Sequence, residues 1–598
     1  MASFFPPWRS GRRRSAGLAV SVALATGLVA GVLPTITASA AAAAQRQDVQ
    51  WSSCGEEGTR LECAELSAPR DWAHPTSGPD LSLTITRIKA TDAAHRKGIL
   101  FTNPGGPGGG GVTLPVLIAQ AQPKIAAQYD IIGMDPRGVG NSTPLICDVP
   151  TDQLTGPEYD ARDLSAAAIT SRQKALKAIA DGCATNPLTP YINTWQTTHD
   201  MDLIRSLLGE RKLNYLGYSY GTWLGAKYAA LFPQRTGKII LDSNTSWMGD
   251  LAESWELMPK AFQRRWEQQL VHWTNRSKVF AKYVGTTPAA VNALYERERS
   301  AFIKYTGRPS AGVLLDNTVR SALYTDAGFV QIAFTLGVLN RCLLDNQDWS
   351  SDAFTACVSD FTDRVNKELG GSAAELRTQV SDATAILLHP EKLGGEVGKD
   401  GLQPILQAAS NATGDTTKVS GAFFAVRCGD GGQWHSPRWW VDFARRNGPV
   451  YPLATYSISA EVCSYWSLPA HELPKPAERR LGPIVTVQAE FDPATGYEST
   501  PRNVRRFSGA RLIAVDDAGS HGQYGIRGNA CVDDTVNAYL LDDQTPPRRT
   551  VCTGTPLPLE NVVYPEPGPV DSRAHHPRTV KVRHVPDKVR HEADKIIK

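Results

Sequence analysis

The chain has 598 residues, a formal net charge of +3, and 21% charged against 41% hydrophobic residues. Near-neutral charge without a basic cluster in its central part excludes the electrostatic footprint of a nucleic-acid binder. The length exceeds one ordinary domain, so the surplus must be placed as the elements are followed along the chain.

Residues 1–40 read as a signal peptide. Arg9, Arg12, Arg13 and Arg14 precede an apolar run from Ala16 to Leu33, and Ala38-Ser39-Ala40 offers small-residue cleavage. A permanent membrane anchor is the weaker reading, because the run is barely of spanning length, contains glycines and ends in Pro34. Arg12-Arg13 matches a paired-arginine export signal only loosely, so the route stays open while a secreted, extracellular destination is expected. Ten cysteines agree with an oxidising compartment: there is no CxxC and no Cys/His cluster at zinc spacing, which favours disulfides over metal. Local order suggests Cys54 with Cys63, Cys147 with Cys183, Cys342 with Cys357, Cys428 with Cys463, and Cys531 with Cys552.

Strand-like runs are predicted at Leu81 to Ile88, Ile99 to Thr102, Tyr129 to Gly133, Leu213 to Leu216, Lys238 to Leu241, Ile484 to Gln488 and Leu512 to Val515. Alternating with helical patterns, they specify a largely parallel sheet covered on both faces. No such strand recurs between Asp242 and Ile484. That insert is rich in Trp, Phe, Leu, Arg and Glu at helical spacing and reads as a helical cap, its aromatics mostly cap core. The expected division is 41–243 and 482–570 as the two parts of an α/β core, 244–481 as the cap, and 571–598 as a disordered tail. The tail holds eight Lys or Arg, four acids, four histidines and few apolar residues.

Three segments carry chemistry. Gly217-Tyr-Ser219-Tyr-Gly221 follows an apolar strand and opens the helix-forming run Thr222 to Phe232, the pattern of a nucleophile elbow, in which bulk at either glycine collides with its neighbours. A serine needs a base and an acid to orient that base, arriving in the chain order Ser, then Asp or Glu, then His. His521 alone among the histidines after Ser219 and before the tail lies in a glycine-flanked loop straight after a strand; Asp492, closing the strand from Ile484, is its natural partner and Glu490 the rival. Asp516 and Asp517 sit too near their strand end. Asn103 to Gly111 is glycine-rich between a strand and an apolar helix, lacks the Lys-Ser or Lys-Thr of a phosphate loop, and so reads as an oxyanion loop, with the amides of Gly106 and Tyr220 as donors. No cofactor or metal is required.

Asn103-Pro-Gly-Gly-Pro-Gly-Gly, Tyr129-Asp-Ile-Ile-Gly-Met-Asp-Pro-Arg137-Gly-Val-Gly-Asn-Ser142, Gly217-Tyr-Ser-Tyr-Gly-Thr and Phe491-Asp-Pro-Ala-Thr together resemble the secreted tripeptidyl aminopeptidases, of the prolyl-iminopeptidase branch of the α/β-hydrolase fold. The resemblance runs from about Trp51 to Cys552. It implies an α/β-hydrolase fold and a serine exopeptidase releasing short peptides, tripeptides foremost, from peptide substrates with a free N-terminus. Gly110, Gly496 and Ser520 depart from the family's usual residues, which bears on substrate preference.

An aminopeptidase pocket needs a carboxylate for the substrate ammonium. Asp430 and Glu461, brought together if Cys428 and Cys463 are bridged, are the candidates, against the plainer reading of ordinary acids beside a disulfide. The competing functions are an exported carboxylesterase or lipase with the same triad, and a binding protein on an inactive hydrolase scaffold.

Overall fold

A computed structural model describes residues 47–597 apart from 56–57, 347–348, 371–373, 389–401, 413, 431–433, 459 and 571–575. The expected signal peptide lies outside the described residues. Twelve strands are present among them: β1 Ser52–Ser53, β2 Glu62–Ala68, β3 Leu81–Ile88, β4 Ile99–Asn103, β5 Asp130–Met134, β6 Ile146–Pro150, β7 Leu213–Tyr218, β8 Thr236–Asp242, β9 Thr416–Ser420, β10 Ile484–Ala489, β11 Ala510–Asp516 and β12 Arg549–Thr553. Ten of them form one sheet in the order β1-β2-β3-β5-β4-β7-β8-β10-β11-β12. The pairs from β1 to β3 and the β3–β5 pair are antiparallel; every pair from β5 through β12 is parallel.

Burial explains which strands were legible. β7 and β10 are buried at every residue, as a parallel strand covered by helices on both faces must be. β2 lies toward the antiparallel edge, where its inner residues alternate buried and exposed, and β12 closes the other edge with one buried residue of five. Strand order reverses at β4, which pairs with β5 on one side and β7 on the other, so the carboxyl ends of β4 and β7 lie side by side with Asn103 opposite Gly217. Ligand sites of open α/β sheets form at such a reversal.

Between β8 and β10 the chain is mainly helical, including Leu251–Arg264, Pro288–Thr306, Ser310–Ala322, Gly328–Leu339, Ser351–Leu369 and Ala374–Leu388. Gly328–Leu339 is buried all round except at Gln331 and forms the centre of the insert. Trp273, fully buried, packs on Phe329 at 5.6 Å between ring centres, so the aromatics there serve as insert core. One expectation is corrected: the insert contains a strand. β9 pairs antiparallel with β6, Ile146 opposite Ser420 through Pro150 opposite Thr416. Its sequence, Thr-Thr-Lys-Val-Ser, buries only two side chains and is too short and polar to announce itself without its partner.

The C-terminal segment is a second correction. It is not disordered over its described residues, because Asp587–Ile596 is a helix with Val589 and Ala593 buried, flanked by buried Val585 and Ile597, and packed against the Leu114–Ala121 helix. Apolar residues four apart make one narrow stripe, which the surrounding charges hide in any compositional reading. All five expected disulfides are formed. Among the described residues no helix is long and apolar enough to cross a membrane.

Candidate active site

Ser219 follows β7 at the point where Tyr220–Leu231 begins, with φ 57° and ψ −127°. A positive φ strains a residue bearing a Cβ, and here it lifts the serine clear of the sheet. The flanking glycines are steric requirements: a Cβ on Gly217 meets the Gly221 carbonyl at 2.5 Å, and one on Gly221 meets Asn103 Oδ1 at 2.8 Å. Gly105, at φ 108°, leans on the same turn, where a Cβ falls 2.7 Å from that of Ser219. The neighbouring Gly106 and Tyr220 N–H groups have no acceptor among the described residues.

His521 is 2% exposed. Its Nδ1 lies 2.9 Å from both Asp492 oxygens. An ionised carboxylate only accepts, so Nδ1 donates and Nε2 keeps its lone pair, with no partner among the described residues. Asp492 also accepts from the Ala494 and Thr495 amides at 3.0 and 2.9 Å and from the Thr495 hydroxyl at 3.0 Å. Burial alone pushes this carboxyl up, but His521, Thr495 and Ser243 together outweigh it and hold Asp492 below its ordinary value.

Glu490, the rival acid, is engaged elsewhere, taking the Asp517 and Val570 amides at 2.9 and 2.6 Å. With Asp516 and Asp517 it forms a cluster at metal-ligand spacing, yet Arg578 is already bonded to both aspartates, to Asp516 at 2.8 Å. Burial and its acidic neighbours push Glu490 up.

Three supporting residues escaped the sequence reading. Asp242 accepts the Gln523 and Tyr524 amides at 2.9 and 2.7 Å, and the Ser243 hydroxyl accepts Gly522 N–H at 2.8 Å, so the end of β8 holds the histidine loop. Asp135 does likewise for the glycine loop, accepting Gly111 N–H and, on its other oxygen, Asn141 N–H, each at 2.9 Å. Asp242 looks in sequence like an ordinary strand end; only the fold brings its partners.

Ser219, Tyr220, Gly106 and the Tyr324 side of the insert line a cavity of about 950 Å³. The acids on its wall, Glu158 and Asp160, are each bonded to an arginine, Arg308 and Arg299. Arg320, also on the wall, has among the described residues a side-chain bond only to Asn317, at 2.8 Å. Asp430 is not brought to the cavity: it is fully buried beneath Tyr220, accepting the Thr194 amide at 2.9 Å and the Thr194 hydroxyl, which also bonds the Tyr220 hydroxyl. Asp430 thus serves the first amide of the Thr194–Leu207 helix, next to its N-cap Asn193. The Glu461 side chain lies outside the described residues.

A tripeptidyl aminopeptidase of Streptomyces lividans is 30% identical to the chain over 544 residues, spanning 87% of this chain and 90% of the relative. The chain belongs to the tripeptidyl aminopeptidase-like family. The family model described as TAP-like protein matches residues 450–552 of this TAP-like chain, and the α/β-hydrolase fold model matches residues 98–277. Serine protease Hip1 of Mycobacterium tuberculosis is 26% identical over 85% of the chain and 91% of its own length. Carboxylesterase B of the same organism is 29% identical over 84% and 89%. The TAP-like enzyme is a serine hydrolase of the α/β-hydrolase fold.

The three departures of this TAP-like chain have local reasons. A Cβ on Gly110 meets Asp135 Oδ1 at 2.9 Å, so the glycine keeps that carboxylate free for the loop amides. Gly496 faces the insert, where a Cβ comes to 3.3 Å from that of Ala261. The Ser520 hydroxyl accepts Asp326 N–H from the insert at 2.8 Å.

Proposed function

We propose that this enzyme is an exported serine aminopeptidase that releases short peptides, tripeptides foremost, from free N-termini. Ser219 is the nucleophile, His521 the base, Asp492 its orienting acid, and the Gly106 and Tyr220 amides the oxyanion donors. The observation that carries the reading is a histidine with Nδ1 held by both Asp492 oxygens and Nε2 without a partner among the described residues, in a loop held by Asp242 and Ser243, where the Asp242 carbonyl also accepts the N–H of a serine at strained φ. Nε2 takes the serine proton as Oγ attacks the scissile carbonyl, and Asp492 steadies the imidazolium. The loop amides meet the oxyanion, each donor supplying about 3 kcal/mol in such sites. The same histidine returns the proton to the leaving amine, and water then hydrolyses the acyl-enzyme.

Peptide over ester is favoured by the two relatives named as peptidases, and a cavity of about 950 Å³ suits an acyl portion of several residues better than a small acid. Five disulfides fit an exported enzyme. The relative named carboxylesterase B keeps the ester reading as the alternative. A panel of aminoacyl, dipeptidyl and tripeptidyl p-nitroanilides, their N-acetylated forms and a short-chain ester separates the two. The expected result is fastest release from the free tripeptidyl amide and little from its acetylated form. Hydrolysis of the ester alone, or indifference to acetylation, overturns the aminopeptidase reading.

A further inference from the structure

The histidine loop is glycine-rich and bends through positive φ at Gly522 and Gly525, both 76°. A general base must hold its nitrogen to within a fraction of an ångström, and a 1 Å error costs about a hundredfold in rate. Asp242 and Ser243 secure amides of this loop from the sheet side. Its carbonyls are secured from another direction, by Arg527, whose Nη2 donates to the His521 carbonyl at 2.8 Å and whose Nε donates to the Gly522 carbonyl at 2.9 Å.

Arg527 is 8% exposed, and a buried guanidinium bonded only to carbonyls leaves its charge uncompensated. Asp594 supplies the counter-charge, with Oδ1 2.6 Å from Nη2. Burial pushes Arg527 down, and Asp594, with Asp326 and Glu375 further off, more than restores it. Asp594 stands on the C-terminal helix, whose Val589, Ala593 and adjoining Ile597 share one apolar cluster with Leu114, Leu117, Ile118 and Tyr218. Ile597 also reaches the histidine loop, 3.3 Å from where a Cβ on Gly522 lies. One helix therefore touches the helix behind the oxyanion loop, the strand residue before Ser219, and the loop that carries the base.

We infer that the C-terminal helix is a catalytic brace, and that Asp594, acting through Arg527, is a positioning residue for His521. The inference rests on His521 being the base. The groups facing the His521 imidazole and Arg527 are Asp492, Asp242, Arg265 with its partner Asp326, Tyr324, Asp594 and Glu375, the last bridged to Arg590 at 3.6 Å. Removing the Asp594 charge leaves Arg527 cationic beside the loop, which opposes a positive imidazole.

Full-length wild type, Asp594→Asn, Arg527→Lys and Arg590→Ala are compared by fluorophosphonate labelling of Ser219, by kcat and KM on a tripeptidyl p-nitroanilide from about pH 5 to 9, and by Tm. Asp594→Asn is expected to lower kcat about tenfold or more with KM within about twofold, and to move the acid limb of the kcat/KM profile to lower pH. Arg527→Lys keeps the charge and the ion pair but cannot span both carbonyls, so kcat falls while the acid limb stays in place. Arg590→Ala, on the same helix but directed at the insert, lowers Tm without either kinetic change. Should Asp594→Asn fail to fold, Arg527→Lys decides: full kcat in that variant overturns the inference. So does Asp594→Asn with wild-type kcat and profile, or a kinetic loss in Arg590→Ala equal to that of Asp594→Asn. Absence of labelling at Ser219 in the wild type refutes the catalytic assignment itself and is thereby distinguished from failure of the brace alone.

Discussion

The His521 backbone N–H donates to the Tyr324 carbonyl at 2.8 Å, and the two rings stand edge to face with centres 5.4 Å apart. Tyr324 belongs to the insert, so His521, the proposed base, is fastened to the element that roofs the cavity as well as to the sheet. The Ser520 hydroxyl adds a second tether, to Asp326 N–H. Ser520→Ala is expected to lower kcat a few-fold and leave KM unchanged; a change in KM alone shows that the tether shapes the cavity and not the base.

Ser219→Ala is expected to abolish turnover, with a loss of about 10⁴ to 10⁶ in kcat, and to leave Tm within a few degrees. Asp492→Asn is expected to cost about 10⁴ through the wrong imidazole tautomer. Rates on the tripeptidyl amide check both, and near-full activity of Asp492→Asn returns the orienting role to another acid.

Asp430 gives a pH-dependent stability. Burial, partly offset by Thr194, pushes its carboxyl up from 3.8 to about 7. A raised value in the folded state means that the native protein keeps a proton that the unfolded chain releases, so this stability is present below about pH 4 and is lost as pH climbs toward 7. Asp430→Asn cannot titrate. Its Tm relative to wild type is expected to rise across that window, and its KM for free-amine peptides to stay within about twofold, because the residue does not reach the cavity. A flat Tm difference refutes the first expectation.

Arg320 offers the cavity a guanidinium bonded to Asn317 and, among the described residues, to no carboxylate. A substrate carboxylate completes it with a charge-assisted pair. Arg320→Met is expected to raise KM about tenfold for tripeptidyl substrates bearing Asp or Glu and to leave uncharged ones nearly unaffected. Equal effects on both sets assign Arg320 to packing.

Reductant supplies a further check. Intact protein is expected to show no alkylatable thiol, since all ten cysteines are paired. Replacing the Cys147–Cys183 pair by serine, which frees β6 from the Ala166–Ala184 helix, is expected to cost about 2–5 kcal/mol in denaturant unfolding.

What the sequence disclosed was whatever the chain encodes locally. Gly217 and Gly221 bracket Ser219 because neighbouring backbone forbids side chains there, and β7 and β10, buried end to end, are mostly apolar, so the elbow and the strand before Asp492 stood out. Asp430 misled for the opposite reason: its surroundings, Thr194 and Tyr220, are more than two hundred residues away in the chain, and nothing beside it signals that it is sealed. The same holds for β9, a strand only because β6 offers an edge, and for Asp594, whose meaning depends on Arg527.

The disulfides join each cysteine to its immediate successor in the chain: first with second, third with fourth, and so on to the tenth, at separations of 9, 36, 15, 35 and 21 residues. No bridge encloses or crosses another. On a chain oxidised progressively from its N-terminal end, each pair can thus close before the next cysteine is presented. Simple order of arrival then yields the native set, and the first four bridges lie wholly before β10, which has to find β8 across the intervening insert.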